Sequence, residues 1–423
     1  MFRQAFFYSL LLLSLLFRCT GDESLPEVTD SEEAPMGKRE REALFSAIQG
    51  FVGDSWNGSS LYPDPCGWTP IQGVSCDMYN DLWYVTDLSL GLIYENSLPC
   101  TSSLEIRREL FELNHLRSLS FFNCFLSPMV IAKEDWINFA SNLESLEFRS
   151  NPGLIGKLPE TIGNLTKLKS LVVLENGFNG ELPASICNLK SLNRMVFAAN
   201  SFAGVIPNCF NGLKELLILD LSRNSFSGTL PSSFGDLVSL LKLDLSNNLL
   251  EGNLPQEIGL LKNLTLLDLR NNRFSGGLSK NIEKIQSLTE LVLSNNPMSE
   301  EDMMGIKWES MGNLVVLDVS KMGLRGEIPI GLTNLKRLRY FGLNNNNLTG
   351  FVPSEKLEAL PCLGALYING NNFTGELRFS RKFYEKMGRR FKASQNPNLC
   401  QSFETIISES HKHLLPLGVK PCT

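Results

Sequence analysis

The sequence predicts an α/β repeat solenoid, in which short parallel strands stack into one extended sheet. One observation is a leucine that recurs at constant spacing, as Leu168, Leu192, Leu216, Leu240, Leu264 and Leu288. Another is the pattern that each of them opens, L-x-x-Φ-x-Φ-x-x-N, where Φ is apolar. Such repeats cannot bury their apolar side alone, so copies stack and their strands line a concave surface. Surfaces of this shape usually bind other molecules.

Each repeat begins with a strand that turns its leucines inward. Leu216, Leu219 and Leu221 face the core in one copy, because alternate side chains of a strand lie on opposite faces. The asparagine eight residues after the opening leucine ends the strand, and its amide can bond backbone groups that the turn leaves unpaired. Stacking predicts a ladder of these amides. The position holds Asn151, Asn176, Asn200, Asn224, Asn248, Asn272, Asn296, Asn346 and Asn371.

The second half of most repeats carries Gly-x-(Leu/Ile/Val)-Pro, as in Gly228 to Pro231. Glycine permits backbone angles closed to other residues and proline removes a backbone donor, so the pair suits a turn toward the convex side. Phrases such as LDLSRNSFSGTLPSSFGDLVS resemble the plant-type leucine-rich repeats of receptor kinases, receptor-like proteins and polygalacturonase-inhibiting proteins. The resemblance implies a right-handed superhelix with a parallel concave β-sheet and cysteine-paired N- and C-terminal caps.

Eleven repeats are predicted, with looser copies that open at Leu116, Leu143, Leu314, Leu338 and Leu363. An additional strand near residues 85–90 is left open. Helical spacing of apolar residues from Lys38 predicts a cap helix. We therefore expect a signal peptide at 1–21, an acidic disordered segment at 22–37, an N-terminal cap at 38–115, repeats at 116–385 and a C-terminal cap at 386–423.

The first residues predict secretion, since Arg3 precedes an apolar run at 5–17 that is too short to span a bilayer. No later apolar run is long enough to span one either, and the end LGVKPCT lacks the hydrophobic tail of a lipid-anchor signal. We expect the chain in the apoplast or on the outer face of the plant plasma membrane. Membrane association, if present, would be peripheral.

Removal of Cys19 with the signal leaves nine cysteines, so at least one is free or bonds another chain. The resemblance implies that Cys66 pairs with Cys76 in the N-terminal cap, and Cys400 with Cys422 in the C-terminal cap. Each bridge would stabilise its cap by roughly 3 kcal/mol.

Five further cysteines are less determined. Cys124 stands in the ladder position, where cysteine is an accepted substitute for asparagine, and we expect a buried thiol there. A bridge between Cys187 and Cys209 across neighbouring repeats is one open alternative. The pairing of Cys100 and Cys362 stays open as well.

Five sequons imply N-glycans in a secreted chain. They are Asn57, Asn164, Asn263, Asn347 and Asn372. Asn164 and Asn263 fall in the convex part of their repeats, so glycans there would leave the concave strands open. Chance occurrence in asparagine-rich repeats is the alternative.

Ligand candidates are the side chains that alternate with the core leucines on the concave strands. Aspartates there, such as Asp244 and Asp268, belong to the repeat consensus LDLS, which favours a structural role. Aromatic and arginine side chains are better candidates, because they supply much of the energy of protein interfaces. These candidates are Phe122, Arg149, Arg194, Arg270, Tyr340 and Tyr367.

A basic cluster stands in the C-terminal part of a chain whose net charge is −6. It comprises Arg378, Arg381, Lys382, Lys386, Arg389, Arg390 and Lys392. Attraction to anionic lipid or a polyanionic wall polymer is one interpretation. The other, which we favour, is a solvated cap surface.

Catalysis is not expected. The three histidines accompany no nucleophile elbow, phosphate loop or metal-ligand cluster. Asp244 and Asp268 on adjacent strands could share a proton, but they would lie on an open surface. We predict no catalytic residue, no cofactor and no bound metal.

Two longer phrases, REREALFSAIQGFVGDSWNGSSLYPDPCGWTPIQGVSCD and KWESMGNLVVLDVSKMGLRGEIP, resemble one family of plant leucine-rich-repeat proteins. That resemblance implies a non-catalytic protein of the plasma membrane, required for the growth and seed-production benefit of a root-colonising endophytic fungus. We expect a protein or peptide ligand, a receptor kinase or receptor-like protein as partner, or a fungal or cell-wall ligand, and no nucleic acid. The alternative is a secreted inhibitor of microbial cell-wall-degrading enzymes.

Overall fold

One sheet of 14 strands runs through the residues that the computed structural model describes, with its strands in chain order. The described residues are 36–92, 97–139, 142–277, 280–298, 305–402 and 418–422. The predicted signal peptide and residues 22–35 of the predicted acidic segment lie outside them. The strands of this concave sheet are Val74–Tyr79, Leu82–Gly91, Ser118–Phe122, Ser145–Arg149, Ser170–Leu174, Arg194–Val196, Ile218–Asp220, Lys242–Asp244, Leu266–Asp268, Glu290–Val292, Val316–Asp318, Tyr340–Gly342, Ala365–Tyr367 and Phe391–Lys392. Eleven of these strands come from the eleven predicted repeats, and the predicted solenoid is confirmed.

The sheet begins with an antiparallel hairpin. Val74–Tyr79 pairs with Leu82–Gly91 through Asn80 and Asp81, which both have positive φ, 51° and 61°. A two-residue turn of this kind matches the twist of the strands it joins. Leu82–Gly91 then pairs in parallel with Ser118–Phe122 of the first repeat. The strand that the sequence left open near 85–90 is therefore present.

Successive repeats stack in constant register. Leu219 pairs with Leu243, and Leu243 with Leu267, so the core leucines form columns that are fully buried. A second line of strands follows the concave strands in most repeats. These strands are Ile155–Gly156, Gly177–Gly180, Ser201–Val205, Ser225–Gly228, Leu249–Gly252, Arg273–Phe274, Arg325–Gly326, Asn347–Leu348, Thr374–Leu377, Asn398–Gln401 and Lys420–Pro421.

A column of phenylalanine rings packs behind this second line. Phe178 stacks on Phe202 with ring centroids 6.3 Å apart, and Phe202 on Phe226 at 6.2 Å, with rings within 9° of parallel. Stacked rings of this kind add about 0.5–1.5 kcal/mol beyond the area they bury. Each ring therefore joins its repeat to the next.

Short 3-10 helices form the convex side. Pro231 illustrates how they begin: its φ of −68° suits a helix start, and its carbonyl accepts the N–H of Phe234. The described 3-10 helices include Arg108–Glu112, Glu160–Asn164, Ala184–Asn188, Phe210–Gly212, Ser232–Asp236, Gln256–Leu260, Lys280–Lys284, Trp308–Met311, Ile330–Asn334 and Gly388–Arg390. Described α-helices are Lys38–Val52, Gly58–Leu61, Lys133–Asn138, Ser354–Glu358 and Arg381–Met387.

The first α-helix, Lys38–Val52, covers the start of the core. Its side chains Leu44, Ile48 and Phe51 are buried, and the Phe51 ring lies 5.2 Å from that of Phe121 in the first repeat. Within the described ranges, no helix has the length and apolar character needed to cross a lipid bilayer.

The predicted asparagine ladder is present. Nδ2 of Asn248 donates to the carbonyls of Leu221 at 3.0 Å and Leu245 at 3.1 Å, while its Oδ1 accepts the N–H of Phe226 at 3.0 Å. The same contacts recur in neighbouring repeats, for example at Asn272. Each amide thus ties its own repeat to the preceding one.

Four disulfides occur among the described residues. They are Cys66–Cys76, Cys100–Cys124, Cys187–Cys209 and Cys400–Cys422. The cap pairs are confirmed, and so is the alternative that joined Cys187 to Cys209. The expectation of a buried thiol at Cys124 is wrong: the side chain is buried, but Cys100 comes from outside the repeats to a Cα–Cα distance of 4.9 Å. Cys362 is free and exposed.

Candidate ligand-binding surface

The concave sheet presents side chains two, four and six residues after each opening leucine. Register places equivalent side chains beside one another, so Ile218 neighbours Lys242 and Asp220 neighbours Asp244. The middle column reads Glu147, Val172, Val196, Asp220, Asp244, Asp268, Val292, Asp318, Gly342 and Tyr367. Its chemistry changes along the sheet from apolar to acidic to aromatic.

An apolar patch occupies the middle of the first half. Val172, Val196 and Ala198 form a buried cluster that is separate from the main core, and Leu174 and Ile218 pack against it. We call these five residues the apolar patch. Val172 and Val196 lie in the predicted concave columns, but the six preferred ligand residues include none of the five. Comparing equivalent positions of successive repeats is the signal that finds them.

Three of the predicted ligand residues lie around this patch. Arg149 is already engaged, since its Nε contacts Oε2 of Glu147 on the same strand at 2.7 Å. Phe122 lies beside Arg149 at the N-terminal end of the sheet. Arg194 pairs in register with Ile218, and its Nε is buried without a hydrogen-bond partner in the described structure.

An acidic row follows the apolar patch, and we define it as Asp220, Asp244 and Asp268. Each carboxylate accepts a backbone N–H two residues further on, at 2.9 Å, 2.9 Å and 3.1 Å. These bonds support the structural role that the consensus suggested. Arg270, a predicted ligand residue, is held by the same row, with its Nε 3.3 Å from Oδ2 of Asp268.

Burial and mutual repulsion raise the pKa of two carboxyl groups of the acidic row. Burial, and then the charge of Asp244, raise the pKa of Asp268 from 3.8 to about 6. Burial also raises the pKa of Asp220, although hydrogen bonds from Ser222 oppose the change. Negative charge on this row is therefore unfavourable in the free protein, and a cation placed over it would relieve the repulsion.

The remaining predicted ligand residues, Tyr340 and Tyr367, meet at the C-terminal end of the sheet. Their ring centroids are 5.5 Å apart, and Nζ of Lys392 lies 5.6 Å from the Tyr367 ring centroid. Burial, helped by the charge of Asp318, raises the pKa of Tyr340 to about 12. Its hydroxyl therefore stays protonated at physiological pH. The six predicted residues thus lie at three places along the sheet and do not form one pocket.

The basic cluster has local partners. Arg378 contacts Glu376 at 3.2 Å, and Arg381 contacts Glu385 at 2.9 Å. Arg390 donates to backbone carbonyls of its own segment, and Lys392 lies over Tyr367. These contacts favour a solvated cap surface over a site for a polyanion.

The five sequon asparagines are all exposed. Asn164 ends the convex 3-10 helix Glu160–Asn164, whereas Asn347 begins a strand of the second line and Asn372 lies two residues before the next such strand. Glycosylation of these positions stays a prediction. In the described ranges, no group of three or more histidine, cysteine or acidic side chains is arranged to hold a metal ion. His411 and His413 lie outside those ranges.

Parallel strands in repeat order, the asparagine ladder and the bridged ends define a plant-type leucine-rich-repeat protein. Family models described as leucine rich repeat match residues 190–250 and 263–285. The chain belongs to the family of the Arabidopsis thaliana Piriformospora indica-insensitive protein 2, to which it is 88% identical over 421 residues that cover 99% of each chain. It is also 34% identical to Receptor like protein 29 of Arabidopsis thaliana over 170 residues, 39% of this chain and 34% of that one.

Solved structures of similar fold include ectodomains of plant receptors. The ectodomain of the Arabidopsis receptor kinase HAESA, in complex with an IDA peptide hormone, gives a TM-score of 0.65 at 25% identity, covering 86% of this chain and 66% of that one. The plant peptide hormone receptor RGFR1 in complex with RGF2 gives 0.61 at 29% identity, covering 70% and 46%. This chain thus spans between a third and two thirds of the length of these receptors and of Receptor like protein 29.

Proposed function

We propose that this chain is a non-enzymatic recognition protein of the plant cell surface, which binds a protein or peptide ligand on its concave sheet. The similar receptor ectodomains were solved with RGF2 and with an IDA peptide hormone, and the 88% identical relative is named for insensitivity to Piriformospora indica. We accordingly place its action in the response to a root-colonising endophytic fungus. A receptor kinase or receptor-like protein is the proposed partner, at the outer face of the plasma membrane or in the apoplast.

The observation that carries this proposal is the contact between the apolar patch and the acidic row. Val196 of the patch lies beside Asp220 of the row in adjacent strands. An extended ligand would place an apolar side chain on the patch and a cationic group over Asp244 and Asp268. Contact with the patch removes apolar surface of the ligand from water. The cation offsets the charge of Asp244, which adds to burial in raising the pKa of Asp268.

A capture experiment tests whether the concave sheet is the binding surface. The tagged protein, and a variant with Ile218→Glu at the partly exposed edge of the patch, are purified from root membranes, and the proteins that come with them are identified. The matched control is Val238→Glu, because Val238 is 51% exposed in a convex turn. We expect the wild type and the control to capture the same receptor, and the concave variant to lose it. Thermal melting of each variant confirms that it is folded.

Other outcomes contradict the proposal. Equal capture by both variants would show that the ligand does not use the apolar patch. Capture of a secreted microbial wall-degrading enzyme, with no receptor, would replace the signalling role by the inhibitor role. Release of the protein by salt and alkaline carbonate washes would distinguish peripheral from integral attachment.

A further inference from the structure

Phe351 is a large apolar side chain in an exposed position, with 74% of its surface open to solvent. It occupies the second position of a Gly-x-Val-Pro signature. Its ring lies over the glycine of the next repeat, since a Cβ atom added to Gly375 would lie 2.5 Å from two atoms of the ring. Equivalent positions in other repeats hold Lys157, Glu181, Val205, Thr229, Asn253 and Glu327. Phe351 is the aromatic member of this column.

The next repeat places a sequon beside this ring. Phe351 forms a parallel bridge with Thr374, the hydroxyl residue of the sequon Asn372-Phe373-Thr374. Buried Phe373 faces the core, so Asn372 and Thr374 face outward with Phe351, because side chains alternate along an extended segment. Asn372 is exposed. A strand spacing of about 4.8 Å and an offset of two residues put the backbone of Asn372 about 8 Å from that of Phe351. The Asn372 side chain and the first sugar span the remaining distance to the ring, which lies toward Gly375.

We propose that an N-glycan carried by Asn372 packs its first sugar against the ring of Phe351. A pyranose ring presents a face of C–H groups, which are attracted to the negative face of an aromatic ring. Beside the ring lies a cavity of about 360 Å³, with Glu376 and Arg378 in its lining. The glycan then covers an apolar side chain that is otherwise exposed.

The chain contains its own control for this contact. Asn347 begins the sequon of the preceding repeat, and its N–H bonds the carbonyl of Leu324 as that of Asn372 bonds the carbonyl of Leu348. The side chain that covers the glycine next to this sequon is Glu327, which lies over Gly350 as Phe351 lies over Gly375. Asn347 therefore has the same backbone setting without the aromatic ring. The contact should be specific to Asn372.

The test is the rate at which peptide-N-glycosidase removes each glycan from the folded, secreted glycoprotein, followed by mass spectrometry of the glycopeptides. We expect removal at Asn372 to be several-fold slower than at Asn347, and Phe351→Ala to bring the Asn372 rate up to the Asn347 rate. Phe351 is exposed, so its replacement leaves the core intact, and thermal melting checks this.

A double-mutant cycle gives a second measurement. Asn372→Gln should lower the Tm of the wild-type chain, and should leave the Tm of the Phe351→Ala variant unchanged, whereas Asn347→Gln should lower neither. Equal removal rates at the two asparagines, a Phe351→Ala variant with unchanged rates, or an unoccupied Asn372 would each overturn the proposal. The contact is independent of the concave-sheet function, because Phe351 and Asn372 adjoin the second line of strands and lie outside the concave sheet.

Discussion

Glu40 accepts the backbone N–H of Val85 at 3.0 Å, and this bond ties the first α-helix to the second strand of the concave sheet. Glu40 is buried, and its burial raises the pKa of its carboxyl, while the bond from Val85 acts in the opposite direction. The hydrogen bond that holds the N-terminal end of the solenoid is thus accepted by a carboxyl group whose ionisation is unfavourable.

We expect Glu40→Ala to lower the free energy of unfolding by about 1–3 kcal/mol, because it leaves the Val85 N–H without its acceptor. Glu40→Gln keeps an acceptor and is the control. The folded chain binds this proton more tightly than the unfolded chain, so the contribution of Glu40 to stability is present at low pH and is lost as pH rises through its raised pKa. Urea unfolding at several pH values should show that slope in the wild type and not in Glu40→Gln.

Replacement of one ladder amide should weaken the centre of the solenoid. Asn248→Ala removes buried partners from the Phe226 N–H and the Leu221 carbonyl, and we expect a loss of about 2–4 kcal/mol. Asn253→Ala, at an exposed asparagine of the same repeat, should change stability by less than about 0.5 kcal/mol. Chemical denaturation of both variants checks this. Equal losses would show that the ladder bonds add nothing specific.

The bridge between Cys100 and Cys124 predicts both a stability and a thiol count. Its cysteines are 24 residues apart, so changing both to serine should cost roughly 3 kcal/mol. Thiol titration of the denatured, unreduced chain from residue 22 onward should find one thiol, at Cys362. Two additional thiols would instead mean that Cys100 and Cys124 are free.

Asp268 should make stability depend on pH. Its pKa rises from 3.8 to about 6 on folding, so its contribution is greatest below pH 4 and is lost as pH rises through 6. The full shift corresponds to about 3 kcal/mol, and solvent screening reduces this to roughly 1–2 kcal/mol. Asp268→Asn should therefore be more stable than the wild type at pH 7, with no advantage at pH 4. Asp236→Asn, at an exposed position, is the control for thermal melting at both values.

Much of the fold follows from the sequence, because the constant spacing of the opening leucines determines which side chains share a column. The disulfide partner of Cys124 does not follow from this spacing. Its repeat position indicates burial, but its partner Cys100 belongs to a segment outside the repeats, and no periodicity specifies where that segment returns. Pairing of this kind depends on the path of the chain in space.

The candidate binding surface was predicted less completely. Leu174, Ala198 and Ile218 look like ordinary consensus residues in their own repeats, and become a patch only beside Val172 and Val196. Likewise, the pKa of Asp268 depends on the carboxylate of Asp244, which belongs to the preceding repeat. Such properties belong to adjacent strands rather than to one repeat.

The column of Phe178, Phe202 and Phe226 has a consequence for how this chain can change over evolution. Phe202 stacks on Phe178 of the coil before and on Phe226 of the coil after, each one repeat away in sequence. Loss or duplication of one whole coil would leave the column of phenylalanine rings continuous. The concave side chains of that coil would be lost or duplicated with it. Gain of a single residue would instead shift the strand away from its neighbours. Gain or loss of a whole repeat can therefore change the length of the solenoid and its ligand preference together, while the fold stays the same.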